Sequence, residues 1–172
     1  MESKNEEWNA FLTAEVLVFR LLGRLLYQPP EAAWLQLLAE EDIFAETPLG
    51  MGTPEIEAGL ALMQGWALAY LADSNGELQS ALEGDYNRLF VGPAKVLAPP
   101  WESVYLTKER LIFQEQTLQV RGWFRRFGLE VENLYHEPDD HIGLELLFLA
   151  HLAELSVAAL EEGEQTEFAD LL

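Results

Sequence analysis

Apolar residues recur three and four positions apart through almost the whole chain, and where the rhythm breaks a proline or a glycine usually stands. That period belongs to helices burying one face, and it leaves little room for strands, whose side chains alternate every second residue. Trp8, Phe11, Leu12, Val16, Phe19, Leu22, Leu25 and Leu26 mark a first helix over about 6–27, closed by Pro29-Pro30. Pro30 suits the first position of a second helix, which runs through Trp34, Leu35 and Leu38 to Glu40-Glu41-Asp42. Residues 46–54 hold two prolines and two glycines and read as a loop. Thr53 then caps a third helix that begins at Pro54 and stops near Asn75-Gly76. A fourth carries Leu78, Leu82, Tyr86, Leu89 and Phe90 up to Gly92-Pro93, and a fifth spans about 107–127 with Gly128 as its cap. Pro138 opens a sixth, which runs apolar to Gly163. Leu129-Glu130-Val131 is too short for a strand, so the expected architecture is all-α: a single helical bundle over residues 1–172.

Charge narrows the function. With 172 residues, 49% hydrophobic, the chain can bury a sizeable core in one domain. It has no cysteine, which removes disulfides, thiolate metal ligands and a thiol nucleophile. Thirty acidic against ten basic side chains give a net charge of -20. Such a surface repels nucleic acid and anionic membranes and attracts cationic partners within a Debye length, about 8 Å at physiological salt. Acidic excess is equally compatible with plain solubility. No apolar run reaches the roughly 18–20 residues of a membrane span, and the acidic start Met-Glu-Ser-Lys-Asn-Glu-Glu-Trp is unlike a secretory signal. The expected location is cytoplasmic.

Two stretches stand out from the helical background. Val96, Leu97, Pro99, Pro100, Trp101, Val104 and Tyr105 make a stiff apolar loop after Gly92-Pro93. Such a loop either packs into the core or lines a groove that something else fills, and composition is even-handed between the two. The second stretch, Glu137-Pro138-Asp139-Asp140-His141, gathers carboxylates and an imidazole at the start of the sixth helix, with Glu145 one turn on. Glu137, His141 and Glu145 fall at i, i+4 and i+8 near one face of that helix, but a single histidine is a poor match to zinc ligand sets. An acid/base role for His141 lacks a nucleophile, since nothing around Ser103 or Ser156 reads as activation. An anionic end to a cation-recognising groove and simple helix capping remain. His151, on the apolar stripe, reads as a core residue and His136 as a loop residue.

Taken together, Asp85-Tyr86-Asn87-Arg88-Leu89-Phe90-Val91-Gly92-Pro93, Pro99-Pro100-Trp101-Glu102-Ser103-Val104-Tyr105 and Glu137-Pro138-Asp139-Asp140-His141 resemble the successive signatures of the TorD/DmsD-type redox-enzyme maturation chaperones. The resemblance covers roughly residues 10–172. It implies a cytoplasmic, non-enzymatic chaperone, without a cofactor, that binds the twin-arginine signal peptide of a molybdopterin oxidoreductase precursor. It holds the precursor back from export until its cofactor is inserted. Where the letters match, Leu89, Phe90, Pro100 and Trp101 correspond to the apolar part of the peptide pocket, and Glu137, Asp140 and His141 to its polar part. Tyr86 stands where some members have tryptophan.

Physical chemistry points the same way. A twin-arginine leader joins a cationic stretch to an apolar, helix-prone run, and its receptor needs carboxylates beside an apolar trough. Helix-in-groove binding is the expected mode, with an extended peptide as the other. Replacing Asp140 or His141 is expected to weaken binding and leave the fold intact. The alternative class is a metal- or nucleotide-dependent hydrolase or switch built on Glu137, Asp140 and His141, although no GxxxxGK[ST] loop is present and Lys95 is a weak phosphate candidate. Relatives of this type continue for tens of residues beyond the position of Leu172. If the chain ends at Leu172, the surface those residues would cover is expected to be exposed, paired in a homodimer or filled by a swapped element; the alternative is that the sequence is truncated there.

Overall fold

The helical rhythm is realised along the chain. The computed structural model describes residues 2–45, 52–93, 96–132 and 136–171, and among them every named element is helical. They are α1 (Glu2–Tyr27), α2 (Ala32–Glu40), α3 (Pro54–Ala72), α4 (Glu77–Tyr86), α5 (Ser103–Leu106), α6 (Glu115–Arg126), α7 (Ile142–Glu162) and α8 (Gln165–Leu171), with a π-helical turn, Asn87–Val91, continuing α4. Residues 46–51 of the expected loop lie outside the described residues, as does Lys95. The chain gathers into two compact units, residues 1–28 with 98–172, and residues 29–97.

The first unit is organised by α1 and α7, which run along each other in the most extensive helix–helix packing of the fold. Gly143, Ala150, Ala153, Ser156 and Ala159 are buried at helical spacing on α7, and a stripe of small residues lets backbones approach closely. The approach is tightest where Gly23 of α1 meets Gly143. A Cβ on Gly143 would lie 2.7 Å from Tyr27 Cβ and 2.8 Å from the Gly23 carbonyl, so only glycine fits. Arg20 of α1 pairs with Glu154 of α7, and the ring of Trp8 packs edge-on against Phe168 of α8. By length and composition alone α7 would pass for a membrane span, contrary to the sequence expectation. Its packing along α1 gives it the place of a core helix.

In the second unit α2 packs on α3, and Gln79 of α4 ties the unit together: its side-chain carbonyl accepts the Tyr70 hydroxyl at 2.9 Å. Asp73 closes the turn after α3 by accepting the Leu78 and Asn75 amides at 2.8 and 3.1 Å, and these hydrogen bonds, Leu78 first, hold its carboxyl below the usual range. Thr53 occupies the N-cap position of α3 as expected, but its side chain makes no capping hydrogen bond.

Three helix boundaries differ from the sequence expectation. Pro30 does not open α2: Glu31 is extended as the N-cap and the helix begins at Ala32. The stretch 107–114 is not helical: Thr107 is extended, its hydroxyl donates to the Ser103 carbonyl at 2.9 Å, and Arg110 and Phe113 are left-handed (φ 52° and 58°). A side chain bonded back to the previous turn ends α5 there and delays the next helix to Glu115. Likewise α7 starts at Ile142, not at Pro138. His141 is extended (φ -78°, ψ 123°), and the Asp140 carbonyl is already used by the Glu102 amide.

Candidate functional site

A two-stranded contact creates the site. Pro100 lacks an N–H, so pairing runs through its carbonyl, which accepts the Ile142 amide at 2.8 Å, while the Glu102 amide donates to the Asp140 carbonyl at 3.0 Å. Trp101 and His141 thereby face each other across an isolated antiparallel bridge. Their rings meet edge to face at 6.1 Å, and Tyr27 packs edge-on with the same imidazole at 5.3 Å. The Pro-Pro-Trp block and the Glu-Pro-Asp-Asp-His block, distant in sequence, are neighbours in space.

The two aspartates are consumed by this arrangement. Asp140 is completely buried, and its carboxylate accepts the Ser103 amide at 2.8 Å and the Thr117 hydroxyl at 2.6 Å. Asp139, buried beside it, takes a two-pronged contact from Arg121, with Nη2 at 2.8 Å and Nε at 3.2 Å. One carboxylate thus satisfies an otherwise orphaned amide of α5, and the other a guanidinium of α6. Neither points its charge at solvent. Asp140 and Asp139 fix the turn that presents His141. Sequence reading missed Ser103, Thr117 and Arg121 in these roles, because partners 37, 23 and 18 positions away leave no periodic trace.

What remains accessible is a second set of acids. Glu137, half-buried, accepts the Trp101 indole N–H at 2.7 Å. Burial raises its carboxyl above the ordinary value and the charge of Asp140 adds to this, while the indole hydrogen bond works the other way. Glu145, on the first turn of α7, is also raised, first by burial and then by Glu102 and Asp140. Among the described residues no lysine or arginine pairs with Glu102, Glu137 or Glu145. The result is an anionic corner in which the charge of Asp140 bears on both Glu137 and Glu145, and that of Glu102 on Glu145. His141 adds no positive charge: burial lowers its pKa to about 4 against the opposing pull of Asp140, and its Nδ1 accepts the Gly143 amide at 3.0 Å as the N-cap of α7. Tyr27 is raised by burial and then by Glu137 and Glu132.

The remaining sequence candidates are placed as follows. Pro100 is buried and Trp101 half-buried. Glu137, His141 and Glu145 do not share a helix face, because Glu137 precedes the helix, and among the described residues no group of three such side chains is disposed to hold a metal ion. Tyr86, Leu89 and Phe90 belong to the other unit, where Tyr86 is buried with Phe90 edge-on to it at 5.1 Å. Leu89 and Phe90 sit in the π-helical turn, which ends at Gly92 (φ 103°). A π-turn is rare and recurs at functional positions, and nothing in the apolar spacing announced it.

A family model described as nitrate reductase delta subunit matches residues 53–172. The chain belongs to that family. Its relatives include the Tat proofreading chaperone DmsD of Salmonella typhi, 37% identical over 139 residues, covering 78% of this chain and 62% of the relative. The probable Tat proofreading chaperone DmsD of Haemophilus influenzae is 33% identical, over 78% of this chain and 63% of the relative. The chaperone protein TorD of Shewanella sp. (strain ANA-3) is 32% identical, over 81% and 66%. The chain therefore spans less than two thirds of the length of these curated relatives. The TorD/DmsD resemblance carried by the three motif blocks is borne out.

Proposed function

We propose that this chain is a cytoplasmic, non-enzymatic chaperone that binds the twin-arginine signal peptide of a molybdopterin oxidoreductase precursor and retains it until cofactor insertion. One observation carries the reading: among the described residues no lysine or arginine pairs with Glu102, Glu137 or Glu145, and Glu137 is held on Trp101, whose ring packs with His141 as that of Tyr27 does. Burial raises Glu137 and Glu145 and the charge of Asp140 adds to both, so an incoming guanidinium relieves both effects. Glu137 is the principal acid in this account, and Trp101 both orients it and offers a flat face for a guanidinium or an apolar side chain. Pro100 stiffens the strap, His141 supplies a neutral ring, and Asp140 positions them from beneath. Tyr86, Leu89 and Phe90, which match the family pattern, are proposed as further peptide contacts. The names of the relatives, Tat proofreading chaperones and TorD chaperones, support the same reading. No observation favours the hydrolase alternative.

Calorimetric titration of a synthetic twin-arginine leader into the full chain tests this. Dissociation constants in the micromolar range or below are expected, weakened in the Glu137→Gln and Trp101→Ala chains. Absence of binding to the folded chain for leaders of several molybdoenzymes would overturn the assignment.

A further inference from the structure

Next to the anionic corner, within the same unit, lies a cavity of about 380 Å³ between α1, α7 and the segment that follows α6. Phe124, Leu147 and Phe148 form its inner wall, the two phenyl rings 5.0 Å apart. The volume is at the small end of ligand sites, which run from about 300 to 1,000 Å³, and suits one or two apolar side chains rather than a cofactor. Its polar lining is lopsided: one arginine, Arg20, against three glutamates, Glu130, Glu132 and Glu154. Arg20 is already paired with Glu154, and Glu130 with Arg125 of α6 at 3.6 Å. Among the described residues no basic side chain pairs with Glu132, so that acid is the one that favours a group arriving with positive charge nearby.

Tyr27 joins this cavity to the corner. It lines the cavity and packs on His141, and the charges of Glu137 on one side and Glu132 on the other both bear on its hydroxyl. A segment with arginines at Glu137 therefore meets, one ring's width on, an apolar hole with an acidic rim.

We propose that this cavity is a second subsite of the same groove, receiving a large apolar side chain from the hydrophobic run that follows the arginines of the leader. The proposal rests on the peptide-binding reading above. It makes the cavity a determinant of which leader is accepted: a bulky aliphatic or aromatic residue at the facing position binds, and a small or acidic one is disfavoured.

The test is a cycle of two chains and two leaders. One leader carries leucine at the first large apolar position after the arginines, and the other carries alanine there. The unaltered chain is expected to prefer the leucine leader by roughly tenfold, as burial of that much apolar surface implies. In His151→Trp, which fills the cavity from α7, the leucine leader weakens by about the same factor and the preference falls to within about twofold of unity. Leu129→Trp, which fills it from the opposite side, is expected to do the same and covers the case in which the first variant folds poorly by circular dichroism. Retention of the tenfold preference in both filled chains overturns the subsite while leaving the peptide-binding reading in place. Failure of the unaltered chain to bind either leader removes both together.

Discussion

Asp140 is the side chain on which the local geometry turns. Its carboxylate holds Ser103 and Thr117, and its carbonyl holds Glu102, so it joins α5, α6 and the strap that carries Trp101. Its complete burial adds a stability cost to the expectation that its replacement weakens binding and leaves the fold intact. Asp140→Ala orphans two buried donors and is expected to lower unfolding free energy by about 2–4 kcal/mol in a denaturant titration. A loss below about 0.5 kcal/mol would contradict the latch. His141 gives a pH signature. Because its folded pKa lies near 4, below the ordinary value near 6.5, the unfolded chain takes up a proton that the folded chain refuses. Its contribution is fully present above about pH 6.5 and declines as pH falls to about 4, by on the order of 2–3 kcal/mol. Glu137 and Glu145, whose pKa values are raised, work in the opposite sense: the folded chain binds their protons first, so stability gains as pH falls through their range. His141→Asn keeps a cap acceptor and removes the titration. The gap in stability between the two chains is expected to shrink from pH 7 to pH 4, and parallel profiles would refute the account.

At the level of elements, the positions of α1, α3 and α4 were legible because their apolar stripes run unbroken between prolines and glycines. The start of α7 was misread for a specific reason. Pro138 and the acids after it carry every local mark of a first helical turn, yet long-range hydrogen bonds from the strap hold Asp139 and Asp140 in a turn and His141 extended. There local propensity lost to tertiary pairing, whereas at 107–114 it lost to a local one, the Thr107 hydroxyl bonded back to Ser103. The motif blocks drew attention to the Pro100-Trp101 and Asp140-His141 segments that pair, but the clasp that orders them, Arg121 and Thr117 on α6, left no signal. The contact of Gly23 with Gly143 was equally silent, since a glycine inside a helix usually just weakens it. Here it sets the distance between α1 and α7, and with it the contact of Tyr27 with His141. Gly143→Ala places a methyl against backbone atoms that cannot yield, and about 2–4 kcal/mol of destabilisation is expected. Thermal unfolding checks it. An unchanged midpoint would mean the helices are not pinned there.

Across the whole molecule, the charge of -20 acts at a distance on any cationic ligand. Raising salt from about 50 to 500 mM is expected to weaken leader binding roughly tenfold, chiefly through a slower association rate. Long-range attraction of this kind was readable from composition, whereas the division between buried and available acids was not: Asp139 and Asp140 look like the most promising pair in the sequence and are the ones already engaged. The central claim is that the arginines of a leader are received at Glu137 beside Trp101. Its most direct test is a thermodynamic cycle, by calorimetry, between Glu137→Gln and a leader whose two arginines are replaced by glutamine. The account predicts coupling of about 1 kcal/mol or more, so that loss of the arginines matters much less once Glu137 is neutral. Additivity within about 0.3–0.5 kcal/mol would place the arginines elsewhere and contradict it.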